Sequence, residues 1–343
     1  MKIDDKPDYE NRKILITGAA GFIGFHLAKK LLEKGAYVIG YDNLNDYYEV
    51  ALKKDRLNFL EQFENFRFIK GDIAVKEEVD ELFKTVRPER IVHLAAQAGV
   101  RYSIDNPKAY MDSNIMGFFH ILEACRFYGT EHLVYASSSS VYGANMEIPF
   151  STTDKTDQPV SLYAVTKKTN ELMAYTYSHL YKIPATGLRF FTVYGPYGRP
   201  DMAYFSFTKA ICEEKTIKVY NNGNLYRDFT YVDDIVNGIE RVLEKPPAAD
   251  SNLVRHKVYN IGNNRPENLL HFIEVLENCL GKKARIELYP MQEGDVYRTC
   301  ADVNDLMRDF DYRPNTSIET GLKRFTDWYL TRYDVRMRPD WSA

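Results

Sequence analysis

Tyr163 and Lys167 stand four residues apart in SLYAVTKKTNELMAY, a helical stretch, so their side chains leave the same face. A tyrosine at its ordinary pKa of about 10 is a poor base in neutral water, whereas a neighbouring ammonium favours the phenolate. Such a pair can take the proton from a hydroxyl. Upstream, ASSSSVYG at 136–143 closes a β-branched run. A serine there can donate to the oxygen being deprotonated and relay its proton to Tyr163. Spacing alone leaves the choice among Ser137, Ser138, Ser139 and Ser140 open, and four serines in a row also describe a turn satisfying its own backbone.

A second constellation lies near the N-terminus. TGAAGFIG at 17–24 sets Gly18, Gly21 and Gly24, with Phe22 and Ile23 between them, at the junction of a strand and a helix. Glycines there allow a tight turn, close approach of backbone N–H groups to a pyrophosphate, and packing of helix on strand. Asp42 follows Gly24 by 18 residues, at the end of the next strand, where a carboxylate accepts from both ribose hydroxyls. The same carboxylate repels a 2′-phosphate and no arginine follows it closely, so the expected dinucleotide is NAD and not NADP. Its nicotinamide cation would also favour the Tyr163 phenolate. Asp72 and Ile73 close the third strand; Asp72 suits an adenine edge, and equally a polar loop after a strand.

The elements that must position these groups are legible as short apolar runs at 14–17, 37–41, 66–70, 90–94, 132–136 and 186–189, separated by helical patterns. That alternation predicts an α/β fold with a doubly wound parallel sheet of the Rossmann kind. After Phe191 the pattern loosens into YGPYGRP and NNGNLY, rich in turn formers, and a helix at 233–243 leads to a further strand at 258–261. The division expected is a cofactor-binding domain of 1–190 and 230–262 and a smaller α/β substrate-binding domain of 191–229 and 263–343.

Composition narrows the class further. The chain of 343 residues is long enough for two lobes, and 45 Lys+Arg against 48 Asp+Glu give a net charge of −3, which argues against a general nucleic-acid surface. Cys125, Cys212, Cys279 and Cys300 lie far apart with no C-x-x-C pair, so neither a disulfide framework nor a metal site is expected. MKIDDKPDYENRK lacks the apolar core of a signal peptide, and nowhere do roughly 18 apolar residues run together, so a cytoplasmic protein without membrane contact is expected.

In chain order, TGAAGFIG, Asp42, HLAA at 93–96, SSSSVYG and YAVTK resemble the extended short-chain dehydrogenase/reductase family of nucleotide-sugar epimerases and dehydratases, from residue 13 to about 329. Within it, GVRYS at 99–103, FFTVYGPYGRPDMA at 190–203, RDFTYVDDI at 227–235 and GDVYRTCAD at 294–302 look like the UDP-glucuronate 4-epimerase branch. The resemblance implies that Ser138, Tyr163 and Lys167 are catalytic. It implies that Asn43, Leu94, Ala95, Ala96 and Asn114 join Gly18, Gly21, Phe22, Ile23, Gly24, Asp42, Asp72, Ile73, Tyr163 and Lys167 around NAD, and that Ser139 and Ser140 flank the sugar. A homodimer built on two long helices per subunit is implied as well. Thr192 stands where glucose/galactose epimerases carry Asn, and Ser140 where decarboxylases and 4,6-dehydratases carry an acid.

An acidic nucleotide sugar carries about three negative charges, which a chain at −3 can bind only through local cations. Arg101, Arg199, Arg227 and Arg298 fall in the motifs above. Arg199 with Thr192 is expected to grip the sugar carboxylate, because guanidinium matches carboxylate bidentately. Arg227, with Arg101 and Arg298, is expected on the diphosphate, and Asp295 on a ribose hydroxyl. The reaction expected is C4 inversion of UDP-glucuronate to UDP-galacturonate through a 4-keto sugar. That intermediate is a β-keto acid, which loses CO2 when its carboxylate bond aligns with the carbonyl π orbitals; holding the carboxylate out of alignment falls to Arg199 and Thr192. The rivals are UDP-glucose/galactose epimerisation, UDP-glucuronate decarboxylation, and an NAD-binding regulatory protein without turnover.

Overall fold

Runs of consecutive apolar residues can be buried only where both faces of a sheet are covered. The computed structural model describes residues 12–291 and 296–335, and in it these runs become such a sheet. Strands β1 (Lys13–Thr17), β2 (Tyr37–Asp42), β3 (Phe66–Lys70), β4 (Arg90–His93), β5 (His132–Ser138) and β6 (Ala185–Phe190) are all parallel, and the late strand His256–Ile261 adds to the β6 edge. The order is late strand, β6, β5, β4, β1, β2, β3, so the winding direction reverses between β1 and β4. In open sheets of this kind ligands bind at that reversal, beyond the carboxyl ends of the strands.

Helices α1 (Phe22–Glu33), α2 (Val50–Leu60), α3 (Lys76–Val86), the short α4 (Tyr102–Asp105) and α5 (Pro107–Tyr110), α6 (Phe118–Tyr128) and α7 (Leu162–Tyr181) provide the connections. A wide π turn, Met111–Gly117, leads into α6. Successive strand residues point to opposite faces. Accordingly Ile14 and Ile16 pack with α1, whereas Leu15 packs with Val79, Phe83 and Ile121 of α3 and α6. β5 runs two residues beyond the expected end: Ser137 and Ser138 stay paired with Arg189 and Phe190, which the hydroxyl composition of the segment concealed.

The remaining strands form small sheets beside the main one. β7 (Thr192–Tyr194) lies parallel to β9 (Tyr226–Tyr231), and β8 (Thr216–Val219) pairs elsewhere, with Arg285–Leu288. Helix α8 (Ala203–Cys212) and the later helices Leu269–Leu280 and Ile318–Arg332 cover them. The helix read at 233–243 is α9 (Val232–Glu244), packed on α1 under the main sheet. The α1 face of the core continues without a break into Phe229, Phe272 and Phe325. All four cysteines are free. No described helix is long and apolar enough to cross a membrane.

Candidate active site

The carboxyl ends of β1, β2, β4, β5 and β6 open into one cleft of about 760 Å³. At the β1 end Gly18 takes φ +73°, and a Cβ there would lie 2.8 Å from the Ala95 backbone nitrogen. The turn therefore presses directly on the β4 exit. A Cβ on Gly24 would reach within 2.1 Å of the Gly18 carbonyl, so α1 begins hard against the turn. Gly21 caps α1 without a side chain and the first turn holds no acid, leaving the opening N–H groups facing the cleft without intrahelical partners.

Asp42 sits almost buried at the end of β2, where Ala20 N–H (3.1 Å) and Leu44 N–H (2.8 Å) donate to its two oxygens. Burial raises its pKa, and those N–H groups, with the charges of Lys53 and Arg56, counter the rise. The sequence puts no arginine beside Asp42, but α2 brings both cations near. Neither is unengaged: Lys53 donates to Asn45, and Arg56 donates to Ala20 O, Tyr48 and Tyr197 O, tying the glycine turn to the segment after β7.

Ser161 caps α7 by accepting from Ala164 N–H, which fixes the start of the helix two residues before Tyr163. Tyr163, Lys167 and Glu171 then fall on successive turns. Lys167 donates to Ala136 O at 3.0 Å and lies 6.0 Å from the centre of the Tyr163 ring. Burial lowers its pKa to about 8. Burial raises the Tyr163 phenol above its ordinary value, and the nearby Ser138 hydroxyl and the charge of Arg199 counter only part of that rise.

Geometry also sorts the serines. Ser137 points into the core, donating to Glu171 at 2.6 Å, and Glu171 is gripped at both oxygens by Arg189. Burial raises the Glu171 carboxyl, but Arg189 and Ser137 more than offset this and hold it below the ordinary range. Ser138 faces the cleft, donating to Ser140 Oγ at 3.0 Å and accepting from Ser140 N–H. In the same cleft, Arg199 is bound side-on by Asp201 through Nε (3.0 Å) and Nη2 (2.5 Å), and Tyr47 donates to the same carboxylate.

A family match decides the class of site. Residues 15–325 match the GDP-mannose 4,6 dehydratase family. The chain belongs to that family. It is 57% identical over 332 residues to protein CapI of Staphylococcus aureus, covering 94% of this chain and 99% of that one. It is 45% identical over 333 residues to a probable UDP-glucuronate 4-epimerase of Rhizobium meliloti, covering 94% and 98%. Among solved structures, the UDP-glucuronic acid 4-epimerase of Bacillus cereus in complex with UDP-glucuronic acid and NAD matches with a TM-score of 0.84 at 34% identity, covering 94% and 100%.

The cleft of this GDP-mannose 4,6 dehydratase family member gathers most of the residues singled out in the sequence. Gly18, Gly21, Phe22, Ile23, Gly24, Asp42, Asn43, Ile73, Leu94, Ala95, Ala96, Arg101, Ser138, Ser139, Ser140, Tyr163, Lys167, Thr192 and Arg199 all line it. Others do not. Asn114 is buried behind the wall, its amide donating to Gln97 O and Thr166 and its oxygen accepting from Gln97 N–H, so it staples the β4 exit to α7. Asp72 accepts from Asn43 and Ala74 N–H, the loop role. Arg227 donates to Tyr226 O and Tyr297 O, and Arg298 stacks on Tyr226, both outside the lining. Asp295 lies outside the described residues. Sequence reasoning passed over Tyr47 and Asp201. Asp201 sits inside GRPDMA, two residues beyond an arginine, and only the fold shows that it holds that arginine.

Proposed function

We propose that the chain is an isomerase that inverts C4 of UDP-glucuronate to give UDP-galacturonate, with NAD bound throughout. The observation that carries this reading is a single cleft lined at once by Asp42 and the glycine turn, by Ser138, Tyr163 and Lys167, and by Thr192 and Arg199. NAD suits the residues present: helix α1 offers unpartnered N–H groups to a pyrophosphate, and Asp42 is held by two N–H donors in a position to accept from ribose. When bound, the nicotinamide supplies the acceptor and later the donor of the C4 hydride.

In this reading Tyr163 takes the C4 hydroxyl proton, and Ser138, which lines the same cleft, relays it. Lys167, fixed by Ala136 O, sets a positive charge beneath the ring when protonated. Arg199 and Thr192 hold the sugar carboxylate. On the return half of the cycle Tyr163 gives the proton back.

The cofactor domain of this proposal comprises 1–190 and 230–262, and the substrate domain 191–229 and 263–343. We further propose a homodimer, supported by an apolar stripe of Val165, Leu172 and Leu180 on α7 beside Met116 and Phe127 of the preceding helical stretch, all exposed. Light scattering should then report two chains, and Leu172→Glu should report one. A cytoplasmic location agrees with four free thiols. The test of function is direct: purified protein with UDP-glucuronate should yield UDP-galacturonate on chromatography. Formation of a UDP-pentose alone, or no product, contradicts the proposal.

A further inference from the structure

The side-on pair between Arg199 and Asp201 is an odd feature for a wall that must receive a carboxylate, because it neutralises the guanidinium before any ligand arrives. A guanidinium has five N–H donors in a rigid fork. Asp201 occupies Nε and one proton of Nη2, and leaves the end of the fork, Nη1 and the second Nη2 proton, unused by the pair.

The surroundings fix this arrangement from three sides. Pro200 separates the two residues, and Met202 N–H closes a turn onto Arg199 O at 3.2 Å. The Arg199 N–H donates to the buried Tyr204 hydroxyl at 3.1 Å, and a Cβ on Gly198 would fall within 2.0 Å of that oxygen, so the turn has no slack. From across the cleft Tyr47, on the segment between β2 and α2, donates to Asp201 Oδ2 at 3.2 Å. Its ring rests on Tyr102, with centroids 4.8 Å apart, and its hydroxyl lies where a Cβ on Gly99 would come within 2.7 Å.

We propose that Asp201 is a positioning residue that locks Arg199 in one orientation, with Tyr47 as its tie across the cleft, so that the substrate's carboxylate meets a fixed fork and decarboxylation is suppressed at some cost in affinity. The inference rests on the reading under Proposed function. A freely rotating guanidinium would bind the carboxylate more tightly, since no second carboxylate would repel it, but would let the C5–C6 bond swing into line with the 4-keto π system. In that failure the C5–C6 bond breaks, its electron pair enters the C4–C5 enolate, and CO2 departs. C5 then takes a proton, and the 4-ketopentose either leaves or is reduced to UDP-pentose by the reduced nicotinamide formed in the first half-reaction.

Binding should tighten while fidelity falls, a combination that a merely structural role would not produce. In Asp201→Asn, which keeps size and one acceptor, the UDP-glucuronate affinity relative to UDP should rise about 2–5-fold, the range for removing a charge from a partly buried pair. The fraction of turnovers ending in CO2 should rise at least about 3-fold over wild type as the orientation loosens. Asp201→Glu should bring that fraction back toward wild type, and Tyr47→Phe should raise it less than Asp201→Asn does. Thermal unfolding and bound NAD, measured in parallel, should match wild type. An unchanged CO2 fraction in Asp201→Asn, or an affinity ratio that falls, overturns the proposal. If wild type makes no UDP-galacturonate, the functional reading fails separately, and the affinity ratio measured by calorimetry still decides whether Asp201 repels a carboxylate held by Arg199.

Discussion

The cofactor end and the sugar end proposed above present charge to a ligand differently. At the cofactor end the protein presents backbone: a glycine turn pressed onto Ala95, free N–H groups at the start of α1, and Asp42 held by two further N–H donors. At the sugar end it presents side-chain charge, and the cation there is already tied: Arg199 to Asp201. Backbone cannot rotate away, so the first end is organised by local geometry. A long cation can, so the second end needs a partner to hold it, and that partner weakens its pull on a ligand. Order at one end comes from the chain's path, and at the other from paired charges.

The contrast can be broken by substitution. The largest effect belongs to the proposed base: Tyr163→Phe removes the phenol oxygen but keeps the ring and its edge contact with Tyr110, so turnover should fall at least ~10²-fold while bound NAD is retained. A wild-type rate would remove Tyr163 from the chemistry. At the cofactor end, Asp42→Ala deletes a charged acceptor worth about 1.5–3 kcal/mol, so NAD should bind roughly 10–100-fold more weakly and NADP should be rejected less. Equal selectivity in wild type and variant would break the ribose assignment.

At the sugar end, Arg199→Met should weaken UDP-glucuronate by about 10-fold or more and leave UDP, which has no carboxylate, nearly unchanged. Equal losses for both would move Arg199 to the diphosphate. The serines sharpen the line between chemistry and support. Ser138→Ala should slow turnover with little change in melting temperature, whereas Ser137→Ala, which strips a hydrogen bond from the buried Glu171, should cost about 1–3 kcal/mol of stability and spare most of the rate.

The smallest effect is on pH. Lys167 has its pKa lowered to about 8 by burial, so it is charged below that value and neutral above it. Affinity for the anionic dinucleotide should therefore decline as pH rises through about 8, and the decline should vanish in Lys167→Met. For stability the sign is the reverse. Between about 8 and its ordinary value of about 10.5 the folded chain binds fewer protons than the unfolded one, so this group's contribution to stability rises with pH across that window.

The sheet was legible because its strands are buried on both faces and read as unbroken apolar runs, and the glycine turn because close backbone contact admits no other residue. β5 ran past its expected end since Ser137 and Ser138 keep the ladder without looking like a strand. Asn114 and Asp72 were legible as polar residues near the site, but the partners they hold within the protein were not. Tyr47 and Asp201 lie 154 positions apart, so no local spacing could join them.

The central claim is that the hydrogen removed from C4 returns to the same carbon from a cofactor that never leaves. UDP-glucuronate carrying deuterium at C4 should give UDP-galacturonate that retains the label at C4, in ordinary water and without added NAD. Loss of the label to solvent, or product formation only when free NAD is supplied in stoichiometric amount, would contradict the account.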